Sequence, residues 1–132
     1  MIEVNNLTRI KISEAFLKKV AEMVLKGEKQ QKKDLSVAIV GSKKAGELNK
    51  KYRKKDAVAN VLSFVNPELG LGEIVLCPSQ IKEDAKKYGM IFEQALAWMC
   101  IHGILHLLGY DHKKEREAKR MEQKERMYLS RI

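Results

Sequence analysis

From Ala95 to Tyr110 the chain carries no formally charged side chain apart from histidine, in a protein of which 33% of the residues are charged. A stretch this long and this apolar on every side cannot lie on a surface, so it dictates a buried helix around which the other elements must pack. Its C-terminal end continues as His102-Gly103-Ile104-Leu105-His106-Leu107-Leu108-Gly109-Tyr110-Asp111-His112, which holds all three histidines of the chain. His102 and His106 stand one helical turn apart and therefore project from one face. Gly109 is placed to end the helix in a left-handed conformation and turn the chain so that His112 returns toward them. Imidazoles at positions 0, +4 and +10 have metal-ligand spacing. Zinc is the default ion for them, although nickel, cobalt or copper would accept the same tripod. Three protein ligands leave one coordination position open, which is where a catalytic zinc holds its water. A lone histidine on such a helix would be read as a hydrogen-bonded core residue; three at this spacing would not.

The same spacing occurs in the zinc-protease signature H-E-x-x-H-x-x-G-x-x-H, where the glutamate after the first histidine is the general base. Here that position is Gly103. A peptidase reading keeps the metal and loses the residue that would activate water. Glycine inside a helix costs on the order of 0.5–1 kcal/mol relative to alanine, so either a substrate or a packed neighbour is expected close to the backbone at Gly103.

The run H-G-x-L-H-L-x-G-Y-D-H resembles the signature of the YbeY family of bacterial endoribonucleases. Upstream segments extend the resemblance over about residues 35 to 125: Leu48-Asn49 with Tyr52-Arg53-Lys54-Lys55-Asp56, then Asn60-Val61-Leu62-Ser63-Phe64, then Leu71-Gly72-Glu73-Ile74-Val75-Leu76-Cys77. Lys54 stands where the family often has glycine, and Ala59 where threonine is usual; neither is a proposed ligand. The resemblance implies a single-strand-specific, metal-dependent endoribonuclease. Such an enzyme acts in ribosomal RNA maturation, at the 3′ end of 16S rRNA, and in ribosome quality control. It also implies one zinc per chain on His102, His106 and His112, with RNA and ribosomal particles as partners. Neither DNA nor a membrane is expected as a partner. Arg53 is the candidate to hold the scissile phosphate, because a guanidinium can grip two phosphate oxygens at once; without the resemblance it would pass for one surface cation among several. Lys55 is a second candidate. Asp111 is read as orienting a histidine N–H, with a ligand role also open. Two other classes stay open: a metal-dependent hydrolase of another substrate, including a peptidase, and an RNA-binding ribosome-assembly factor whose metal is structural.

Charge supports a polyanionic partner by its location. Net charge is +9, and residues 26 to 55 hold eleven Lys/Arg against three Asp/Glu. Residues 113 to 132 hold eight against four, while residues 56 to 112 are net negative by four. Basic segments thus flank the histidine helix, as expected of a protein that presents cations to nucleic acid beside its site, although a lysine-rich solvated surface of a heat-adapted protein would look the same. No segment is apolar for the roughly 20 residues a bilayer needs, and the N-terminus lacks a signal-peptide pattern. Cys77 and Cys100 form no disulfide framework or paired zinc motif, so both are read as reduced thiols of a cytoplasmic protein. Cys100 belongs to the core.

Periodicity places strands at Ile2–Asn5, Leu35–Val40, Val58–Phe64 and Glu73–Leu76. Helices are expected from a Ser13 cap to Lys26, from a Ser42 cap through Leu48 and Tyr52, from Pro78 to Tyr88, from Phe92 to Leu108 and from Lys113 to Tyr128. The last of these puts Ala118, Met121, Glu125 and Tyr128 near one face. The expected architecture is a single α+β domain spanning residues 1–132, a mixed sheet of about four strands covered by helices, with a central buried helix carrying two of the histidines.

Overall fold

Leu35, Val37 and Ile39 alternate with Ser36 and Ala38, and these five residues form strand β2 (Leu35–Ile39) with the alternate positions buried. In a computed structural model, which describes residues 1–53, 60–66, 68, 70–111 and 113–132, β2 pairs in parallel on both sides. Val37 lies opposite Val4 of β1 (Ile2–Asn6) and opposite Ile74 of β4 (Gly72–Leu76). Strand β3 (Val61–Val65) runs antiparallel along the far edge of β4, giving the order β1-β2-β4-β3. Parallel neighbours require crossovers, and helix α1 (Glu14–Gly27) carries the chain from β1 to β2. The Ser13 hydroxyl accepts the Phe16 N–H at 3.1 Å, as a cap should. Helix α2 (Ser42–Arg53) covers part of one sheet face, its Ala45 and Leu48 packing with Val40, Leu62, Val75 and Cys77. Its first helical bond runs from the Ala45 N–H to the Gly41 carbonyl, so Gly41, not Ser42, stands at the cap.

The opposite face of the sheet holds the main core. Helix α4 (Phe92–Leu107) is buried at Ala95, Leu96, Ala97, Met99, Cys100, Ile101, Gly103, Ile104, Leu105 and Leu107. It is buried on every side except the face of Trp98, His102 and His106, which is partly open, as its lack of charge requires. α1, α3 (Pro78–Tyr88), α5 (Glu115–Leu129), β3 and β4 all pack on it. Its end is a Schellman turn: the Gly109 N–H donates to the His106 carbonyl and the Tyr110 N–H to the Leu105 carbonyl, each at 3.0 Å. Gly109 takes φ +98°, the left-handed conformation anticipated for it.

The α+β class, the four-stranded mixed sheet and the central helix match expectation. The strand anticipated over Val58–Phe64 is found at Val61–Val65, with residues 54–59 outside the described part. The last helix starts two residues late because Asp111 turns the chain before it, its Oδ1 accepting the Lys113 N–H at 3.0 Å. No single helix among the described residues is long and apolar enough to cross a bilayer.

Candidate active site

His102 and His106 leave the same face of α4 and their rings meet edge to face, with centroids 4.8 Å apart and an interplanar angle of 81°. Both border a groove of about 500 Å³ between the C-terminal half of α4 and strand β3, with Asn60, Ser63, Asp111 and Lys113 also on its walls. β3 is held against the helix at this level. The Ser63 hydroxyl donates to the Gly103 carbonyl at 3.0 Å. A Cβ on Gly103 would lie 3.0 Å from Ile74 Cγ2 and 3.1 Å from Val61 Cγ2. Gly103 is therefore a packing residue: it lets α4 sit down on β3 and β4, and the position that carries the base in zinc proteases is spent on the sheet.

Among the described residues His102 meets the carboxylate of Glu125, from the middle of α5. One of its oxygens accepts from His102 Nδ1 at 3.1 Å and from Trp98 Nε1 at 3.0 Å. The Glu125 side chain is only 9% exposed, so these donors are what make its burial tolerable. With its Nδ1 proton given to Glu125, His102 has its ring lone pair on Nε2. This partner was not foreseen from the sequence. Its one signal was a glutamate lying on the otherwise apolar stripe of Met121 and Tyr128.

A second buried carboxylate fixes the turn after α4. Glu28, just beyond α1, accepts the Tyr110 hydroxyl at 2.6 Å, Lys124 Nζ at 3.1 Å and the Tyr128 hydroxyl. Burial pushes its pKa up, but the three donors outweigh that and hold it below the ordinary 4.5. Burial and Glu28 together raise the pKa of Tyr110. Both ends of the His106–Tyr110 turn are thus tied, one to α4 by the Schellman bonds and one to α1 and α5 through Glu28.

Of the candidate residues, His102 and His106 are brought together and Asp111 borders the same groove. His112 lies outside the described residues, and so do Lys54, Lys55 and the side chain of Arg53, whose backbone ends α2. Among the described residues no group of three His, Cys, Asp or Glu is placed to hold a metal ion. Two of the three proposed imidazoles thus stand on one face, one of them held by a carboxylate. This donor set fits a divalent transition metal. Cys100 is not part of it. Burial alone pushes its thiol up to about 12, and it stays a neutral core group.

The profile of the family described as Endoribonuclease YbeY matches residues 3–132. The chain belongs to the YbeY family. It is 43% identical over 100 residues to the Endoribonuclease YbeY of Bdellovibrio bacteriovorus, a match covering 74% of this chain and 66% of that one, or just under two thirds of the relative. To the Endoribonuclease YbeY of Staphylococcus carnosus it is 38% identical over 107 residues, covering 73% and 70%. Its fold superposes on the solution structure of a Thermotoga maritima protein with a TM-score of 0.71 and 31% identity, covering 98% of this chain and 87% of the other. The resemblance drawn from the H-G-x-L-H-L-x-G-Y-D-H run therefore extends over residues 3–132.

Proposed function

We propose that this YbeY-family chain is a metal-dependent endoribonuclease that cuts single-stranded RNA during ribosomal RNA maturation, at the 3′ end of 16S rRNA, and in ribosome quality control. The observation that carries the proposal is the convergence of His102 and His106 on the groove beside β3, with Glu125 behind His102, in a member of an endoribonuclease family. His102, His106 and His112 would hold one zinc ion. When bound, zinc supplies a Lewis acid for the scissile phosphate and a water whose pKa is lowered toward about 7.

The chain's own residues do the rest. Glu125 holds the His102 ring in one tautomer and one orientation. The Glu28 bond to Tyr110 fixes the turn that leads to His112. Arg53 binds two oxygens of the scissile phosphate and offsets the charge that grows on it during cleavage, with Lys55 in support. The exposed Lys43, Lys44, Lys50 and Lys51 of α2 attract the RNA backbone, and Lys113 faces the groove directly. Work on ribosomal RNA with two reduced cysteines belongs in the cytoplasm. The peptidase reading loses ground to Gly103, which has no side chain to act as a base and packs against Ile74 and Val61 of the sheet.

Incubating the purified protein with end-labelled single-stranded RNA, duplex RNA and a denatured protein substrate, each with and without a chelator, tests the proposal. Chelator-sensitive cleavage of single-stranded RNA alone is expected. RNA binding without cleavage under any metal condition would overturn it in favour of an assembly factor.

A further inference from the structure

Trp98, His102 and His106 follow one another at one-turn intervals along the same face of α4, so Trp98 lies about 6 Å along the axis from the first histidine. The groove at the histidines does not end there. A second opening of about 300 Å³ lies against Trp98, Met99, His102 and Glu125. A third, of about 140 Å³, lies against Ile81, Tyr88 and Trp98. Asn60 borders all three, so they lie side by side around it between the histidines and the C-terminal end of α3. Asn60 is fixed in that place by its amide, which donates to Asp84 Oδ2 at 2.9 Å.

The α3 end has the parts of a base-stacking platform. The Trp98 indole N–H is taken by Glu125, so an incoming group can meet Trp98 only through its ring. Tyr88 stands edge-on to that ring, with centroids 6.0 Å apart at 80°, and is 60% exposed. Lys87 places its ammonium 5.7 Å from the centroid of the Tyr88 ring. Aromatic rings beside a cation are how single-stranded nucleic acid is held without reading its sequence: bases stack on the rings and the phosphate meets the charge. The inner wall argues for the same occupant. Asp84, whose oxygens already accept from Asn60 and Gln80, and Glu122 both repel a phosphate, and the exposed Glu122 carboxylate can accept from the amino group of a base. The strand therefore runs with its backbone on the Lys87 side and its bases turned in.

We infer that Tyr88 and Trp98 form a base-stacking subsite for a nucleotide flanking the cleaved bond. The inference rests on the endoribonuclease reading above and adds the residues that hold the strand beside the site.

Trp98 is the chain's single tryptophan, so its emission reports on this place alone. The test titrates the zinc-loaded protein with a single-stranded RNA hexanucleotide whose phosphorothioate links resist cleavage, and with an abasic chain of the same length and charge. The base-bearing oligonucleotide should quench Trp98 emission and the abasic one should not. Tyr88→Ala, with its fold checked by an unchanged circular dichroism spectrum, should weaken binding of the base-bearing oligonucleotide by about tenfold. The subsite is overturned, and the nuclease reading left standing, if the wild-type protein binds and cleaves RNA while its emission is unchanged and Tyr88→Ala binds with wild-type affinity. Equal quenching by both oligonucleotides also overturns it. A wild-type protein that neither binds nor cleaves single-stranded RNA removes both readings together.

Discussion

Replacing Glu125 separates its two roles, as acceptor in the core and as the group that sets His102. In Glu125→Ala the Trp98 and His102 N–H groups lose their shared acceptor in a place where the carboxylate was 9% exposed. A buried donor left without a partner costs about 1–3 kcal/mol, so the metal-free protein should lose roughly 2–4 kcal/mol of stability, less than the simple sum because water can reach the partly exposed histidine. Glu125→Gln keeps the volume and an oxygen that can accept both donors, and should cost the metal-free fold no more than about 1 kcal/mol. It removes the negative charge that would make the His102 ring a better zinc ligand in the proposed site. Loss of such a partner behind a ligand weakens metal binding by about 10- to 100-fold. Urea denaturation of the metal-free proteins measures the first effect, and zinc competition against a chromogenic chelator measures the second. A Gln variant that binds zinc within twofold of wild type, beside an Ala variant that has lost stability, would refute the argument and leave Glu125 as a core acceptor only.

Three further outcomes are expected. Because the Glu28 pKa is lower in the folded protein than its ordinary 4.5, its contribution to stability is complete above pH 4.5 and is lost as the pH falls through the folded value. Glu28→Gln should therefore be less stable than wild type at neutral pH and draw level with it in acid, and a deficit that persists at low pH would show that the charge is not the cause. A Cβ on Gly27 would run into the buried ring of Tyr128, so Gly27→Ala should cost about 1–3 kcal/mol in chemical denaturation despite its better helix propensity; a neutral or stabilising result would mean that α1 and α5 can separate freely. Arg53→Lys should slow single-turnover cleavage by about 100-fold while leaving zinc content and RNA affinity nearly unchanged, since an ammonium cannot reproduce the guanidinium fork; a rate equal to wild type would return Arg53 to the surface cations.

The elements whose sequences carry a local physical signal are found where those signals put them. The uncharged run Ala95–Tyr110 had to be the central helix, and Gly109 after His106 had to end it, because both follow from burial and backbone conformation alone. Gly103 could be read two ways from sequence; only the approach of Ile74 and Val61 decides for packing. Glu125 and Glu28 were not legible as site residues. Glu125 lies 23 residues from His102, and Glu28 lies 82 from Tyr110. No periodicity links residues that far apart, and a glutamate in a charged helix looks solvated until its partners are known. Asp111 was the more visible carboxylate, and one of its oxygens turns the backbone at Lys113, while Glu125 reaches His102 from a helix distant in sequence.

In the proposed mechanism His102, His106 and His112 hold the metal with which the protein cuts RNA. The most direct test adds zinc back to metal-free protein while single-turnover cleavage of a labelled single-stranded RNA is followed beside the zinc bound. Cleavage should rise in proportion to bound zinc and level off at about one equivalent per chain, with both lost in His106→Ala. Cleavage by protein shown to be free of metal, or zinc binding that saturates in the His106→Ala variant as it does in wild type, would contradict it.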